Sequence, residues 1–177
     1  SVLTEDKSGL LNQLTIISIK RKININSLNV SVTEVKGVSR FTIVTETSKD
    51  MIDNIVKQIR KLIDVLGAFV YEEHQIFYQE IALYKVPKYA IMEGNSIEEL
   101  VSKSGARILV VETDYMIIEK TGNSRETHDL YQKLEPFGLL EFIRSGRVAI
   151  SKSTRKTEAY IKELEASNSN KLSIKDF

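Results

Sequence analysis

The chain has 177 residues, no cysteine, and 25 cations against 24 anions for a net charge of +1. That length fits one domain or two small ones, and the balanced charge gives no polyelectrolyte signature of a nucleic-acid or membrane-surface partner. Without cysteine there is no disulfide, thiolate metal site or cysteine nucleophile, and no run is long and apolar enough to span a bilayer.

Ser1 to Thr4 reads as a strand already under way, so a preceding segment is expected. Ser8 is expected to cap the helix that follows, and Gly9 to open its first turn. Leu10, Leu11, Leu14 and Ile17 fall on one helical face, while Ile16 and Ile19 fall off it, which points to a second neighbour such as another subunit. Lys20, Arg21 and Lys22 suit the negative end of the helix dipole. Leu28, Val30 and Val32 alternate with polar residues, Lys36-Gly37 turns the chain, and Arg40 to Thr45 returns as the second arm of a hairpin. Ser48 should cap a second helix carrying Ile52, Ile55, Val56, Ile59, Leu62 and Ile63 on one side. Val65 to Tyr71 reads as a fourth strand. The order is β-α-β-β-α-β.

The same order then recurs. A short polar junction, Glu72 to Gln79, separates a domain over residues 1–76 from a second over 77–177. Glu80 to Val86 is a strand ended by Pro87. Ser96 to Ser102 is helical through Ile97, Leu100 and Val101. Arg107 to Val111 and Tyr115 to Glu119 form a hairpin. Ser124 to Leu134 is helical, closed by Pro136 and Gly138. Leu139 to Ile143 and Val148 to Ile150 are strands. Thr154 to Glu165 suggests a helix with Tyr160, Ile161 and Leu164 on one side, and the final "ASNSNKLSIKDF" has no core-forming pattern and is expected to fray.

Catalytic signatures are missing from the sequence. His74 and His128 have no ligand-spaced partners and read as surface or junction residues. The adjacent pairs Glu72-Glu73 and Glu98-Glu99 point in different directions and read as solvated charges rather than an acid–base dyad. No G-x-S-x-G, P-loop or G-x-G-x-x-G occurs. The element order matches the RNA-recognition module as well, but that module stacks bases on central-strand aromatics. Here "RFTIVTE" offers only Phe41 and "EIALYKV" only Tyr84.

The start of the first helix is more informative. A helix N-terminus presents free N–H groups and partial positive charge, a seat for a carboxylate. Gly9 admits a close ligand, Asp6 can accept from an ammonium, and Leu10 and Leu11 offer an apolar wall. Together these would suit a small α-amino acid. The same residues also describe an ordinary capped helix, with Asn24 as a turn residue.

The stretch "VLTEDKSGLLNQLTIISIKRKININSLNVSVTE", with "KQIRKLIDV" after it, resembles the ACT domain of the small, regulatory subunit of acetolactate synthase (acetohydroxyacid synthase). In the second half, "EIALYKV", "RILVVE", "EKTG" and "LLEFIRSGRVAISKS" resemble that subunit's C-terminal domain. The resemblance implies an α+β chain of two ferredoxin-like βαββαβ sandwiches, the first an ACT domain that pairs across a homodimer. It implies a branched-chain amino acid, usually valine, bound between Asp6, Ser8, Gly9, Leu10 and Leu11 of one chain and Asn24 and Ile25 of the other. Asp6 stands where the family more often has Asn, so the ligand meets an acceptor-only side chain. The resemblance further implies a cytoplasmic, non-catalytic subunit that activates a large subunit and transmits feedback inhibition. Thiamine diphosphate, magnesium and FAD are expected in that catalytic partner and none in this chain. A free-standing amino-acid-sensing ACT protein with another partner is the alternative.

Overall fold

The computed structural model describes residues 1–88, 96–154 and 157–163. The chain forms two compact units, one of Ser1–Phe77 together with the described residues from Ala149 on, the other of Tyr78–Val148.

The first unit runs β1 (Val2–Glu5), α1 (Leu10–Lys20), β2 (Ser27–Val32), β3 (Val38–Val44), α2 (Lys49–Ile59) and β4 (Val65–Ala68). Its antiparallel sheet has the order β2-β3-β1-β4. Period-2 alternation sends Val2 and Leu3 to opposite faces. On one face Val2, Phe41, Val65 and Ala68 pack with Leu10 and Leu14 of α1 and with Ile55, Val56 and Ile59 of α2. On the other, Leu3 and Val38 meet Ile161 from a helical segment at 157–163.

The second unit runs β5 (Ile76–Pro87), α3 (Ser96–Lys103), β6 (Arg107–Val111), β7 (Tyr115–Gly122), α4 (Ser124–Leu134) and β8 (Glu141–Arg144), and β9 (Val148–Ser151) pairs with β5. The sheet order is β6-β7-β5-β8, the first unit's order repeated. Ala82, Tyr84, Val86, Met116 and Ile118 form its core with Ile97, Val101, Leu130 and Leu134 from the two helices. A row in register, Arg107-Glu119-Leu83-Ile143, crosses the opposite face, where Ile81 and Ile143 stay exposed. Both units are ferredoxin-like βαββαβ α+β sandwiches.

Several expectations meet a different outcome. Gly9, not Ser8, takes the N-cap position of α1, and no side chain caps it. Ser8 therefore lies one residue too early to reach the first-turn amides. Leu11 is exposed rather than on the buried face, where Leu10 and Leu14 are joined by the partly buried Ile17 and, unexpectedly, by the buried Ser18. Ser48 occupies the N-cap of α2 but makes no side-chain capping bond. That helix ends at Ile59, so helical spacing no longer places Ile63, which is 96% exposed. Val30 and Val32 alternate as expected yet are exposed, because β2 is an edge strand. β4 is shorter than expected and β5 longer, while β8 starts two residues late. Residues 157–163 are helical as expected but group with the first unit rather than the second. Leu164, Glu165 and "ASNSNKLSIKDF" lie outside the described residues.

Candidate functional site

The loop from Asp6 to Gly9 is held by its neighbours in the first unit. The Asp6 N–H donates to the Gly37 carbonyl at 2.9 Å, and the buried Ser39 hydroxyl donates to Asp6 Oδ1 at 3.2 Å. The Glu5 N–H donates to the Asp64 carbonyl at 3.0 Å. Lys7 Nζ reaches Asp64 Oδ1 at 2.9 Å and also pairs with Glu5. The hydrogen bonds to Glu5 and Asp64 hold the Lys7 ammonium above its usual range. Its side chain lies in water, so the pair orients the loop more than it stabilises it.

Gly9 then adopts φ 90°, ψ −12°, a left-handed geometry that L side chains rarely enter. Its carbonyl accepts the Gln13 N–H at 3.3 Å, closing the first helical turn. A Cβ built on Gly9 would meet nothing within 4 Å, so the space before the helix is open. No acidic residue lies in the first turn and no side chain caps it. The first-turn N–H groups lack intrahelical partners and carry their share of the helix dipole. Leu10 is only 2% exposed and is committed to the core, whereas Leu11 is 44% exposed and forms the available apolar surface. One carboxylate oxygen of Asp6 takes the Ser39 hydrogen bond; an ionised carboxylate has further acceptor capacity for an ammonium.

Asn24 and Ile25 belong to the other end of α1. Lys22 takes the left-handed position at φ 53°, its N–H bonding the Ile19 carbonyl at 2.9 Å and that of Ile23 the Ser18 carbonyl at 3.0 Å. This is a Schellman stop with lysine where glycine is usual. It turns the chain into the segment that carries Asn24, exposed, and Ile25, half-buried. The 11 residues of α1 span about 16 Å at 1.5 Å per residue. The two groups of expected ligand residues are therefore at opposite ends of one helix, too far apart for one small amino acid to touch both in a single chain.

From sequence Gly37 is a turn residue only, and Ser39 carries no assigned role. One signal was legible: Ser39 alternates with Phe41 and Ile43, placing a hydroxyl on a core-facing row. His74 is exposed beside Glu72, and His128 stacks on Tyr131. No group of His, Asp and Glu among the described residues could hold a metal ion. No described helix is long and apolar enough to cross a membrane. A cleft of about 150 Å³ in the second unit, lined by Ser104, Lys120, Glu126, Asp129, Leu130 and Lys133, contains none of the expected residues.

Comparison with known proteins covers both units. The family model described as "AHAS small subunit-like ACT domain" matches residues 1–67, and that described as "Small subunit of acetolactate synthase" matches 79–153. The acetolactate synthase small subunit of Mycolicibacterium smegmatis is 38% identical, over 88% of this chain and 91% of that protein. That of Bacillus subtilis is 32% identical, over 85% and 87%. The crystal structure of the acetolactate synthase small subunit from Thermotoga maritima superposes with a TM-score of 0.77 at 26% identity, covering 87% of this chain and 96% of that one.

Proposed function

The chain belongs to the acetolactate synthase small-subunit family, its first unit an ACT domain, and from that premise we propose that it is a non-catalytic subunit regulating an acetolactate synthase catalytic subunit. It activates that partner and passes on feedback inhibition by a branched-chain amino acid, valine foremost. The partner carries thiamine diphosphate, magnesium and FAD, and condenses pyruvate with a second 2-oxo acid.

The observation that carries this reading is the uncapped, unobstructed mouth of α1 at Gly9. An amino acid's carboxylate fits against first-turn N–H groups, its ammonium against Asp6, and its branched side chain against Leu11. With Asn24 and Ile25 a helix length away, the site is completed by a second copy. Exposed apolar residues support such pairing: Leu11, Ile16 and Ile19 on α1, and Val30 and Val32 on the edge strand β2.

The test is calorimetric titration with valine, leucine and isoleucine, alongside sedimentation and acetolactate assays with and without a catalytic subunit. Binding of at least one amino acid, a dimer at micromolar concentration and no product from this chain alone are expected. Gly9→Asp should abolish binding, and Leu11→Glu, at an exposed position outside the core, should do so without the backbone strain of the glycine change. Parent-like binding by Leu11→Glu, or a ligand-free monomer with full regulation, would refute the reading.

A further inference from the structure

The helical segment 157–163 lies beyond the residues that either family model matches, which end at 153. It packs on the face of the first sheet opposite α1 and α2. Ile161 is buried against Leu3 and Val38, with Val35, Leu66 and Phe69 around them. The Tyr160 ring meets Phe69 edge-on at 4.6 Å. Arg40 Nη2 donates to Thr157 Oγ1 at 3.3 Å. A hydrogen bond from Thr157 also holds the Glu34 carboxyl below its usual range.

Besides Val35, Leu66 and Phe69, these contacts fall on β1, which leads into the α1 mouth, and on β3, which pairs with it. Leu3 pairs with Arg40 and Glu5 with Val38. Between them lies Ser39, whose hydroxyl holds the Asp6 carboxylate, and just before Val38 lies Gly37, whose carbonyl takes the Asp6 N–H. Side chains at alternate positions of β3 thus face the segment on one side and, at Ser39, hold Asp6 on the other.

We propose that residues 157–163 form a strap whose docking behind the ACT sheet sets the geometry of the α1 mouth, and through it the affinity for a branched-chain amino acid. The affinity half rests on the function proposed above; the geometric half does not. The strap supplies two discrete states, because isolated helices are marginal in water without tertiary packing, so undocking and unwinding are coupled. An amino acid that prefers the docked geometry tightens the strap, and the strap tightens the amino acid by the same factor.

Ile161→Asp in the full chain separates these halves. Amide exchange at Asp6 should quicken at least tenfold while exchange at Ile118 in the second unit is unchanged, and binding of valine, leucine or isoleucine should weaken at least fivefold. Unchanged exchange at Asp6 overturns the strap. Amino-acid affinity equal to the parent's also overturns it and leaves the proposed function standing. If the parent binds none of the three, the effector reading fails, and exchange at Asp6 alone decides whether the strap holds the mouth. Should Ile161→Asp unfold the first unit, Ile161→Ala carries the same comparison, with smaller changes expected at the same amide.

Discussion

The mouths of α1 and α4 are built from the same helix physics and end in opposite conditions. At α4, Asn123 Oδ1 accepts the N–H groups of Arg125 and Glu126 at 3.0 Å each, and Glu126 Oε2 accepts the Asn123 N–H at 2.8 Å. Ser124 donates to Glu80 Oε1 at 2.9 Å, and Glu80, 5% exposed, pairs with both Arg144 and Arg147 at 3.2 Å. A Cβ on the neighbouring Gly122 would lie 2.8 Å from Glu126 Oε2. At α1 a left-handed glycine stands in place of a cap, with open space before it. A helix start saturated by its own side chains has little left to offer a ligand, whereas one left unsaturated keeps its donors for one.

The largest test of this contrast is Glu80→Ala. It removes the carboxylate that both arginines share at the α4 mouth and should cost about 3 kcal/mol in urea unfolding of the second unit. A cost below about 1 kcal/mol would mean that the carboxylate does not hold this end together. Tyr84 tests the same region by pH. Its ring is fully buried, its hydroxyl donates to the Thr127 carbonyl at 2.6 Å, and burial pushes the phenol up from 10 to about 12. The folded state keeps the proton longer than the unfolded chain, so this contribution is whole below pH 10 and is lost as pH rises towards 12. The loss should reach about 2–3 kcal/mol. The stability difference between the parent and Tyr84→Phe should shrink over that window; a constant difference contradicts the linkage.

Smaller changes sharpen the contrast. Gly9→Ala should lower thermal stability of the first unit by about 1–2 kcal/mol through backbone strain alone, since the added carbon meets nothing. No loss would mean that the loop relaxes out of its left-handed turn. Asn123→Ala should cost about 1 kcal/mol, while Ser48→Ala, at a cap position without a side-chain bond, should cost a few tenths. Equal effects in paired melts would erase the distinction between a capping residue and one that only occupies the position.

Periodicity served where packing follows local pattern. Ser124 to Leu134 was legible residue for residue, because Pro136 and Gly138 close it and Thr127, Leu130 and Leu134 keep helical spacing on the buried face. The repeated βαββαβ order was legible for the same reason. At the candidate site, Gly9 and Asp6 could be picked out as residue types, but the left-handed turn and the bond from Ser39 depend on a hairpin about thirty residues away. Glu80 read as one more strand residue; its burial follows from Arg144 and Arg147, whose placement no local window contains. The alternation of Val30 and Val32 was equally clear, yet alternation does not show that β2 is an edge.

The first unit is assembled from two stretches of chain, and the second is contiguous between them. On a ribosome that division sets an order of events. The second unit has its six βαββαβ elements once Val148 emerges, whereas Leu3 and Val38 in the first wait for Ile161 before their side of the sheet is covered. The nascent chain therefore carries an uncovered β surface for most of its synthesis, the kind of transient exposure on which chaperones act and from which misassembly starts.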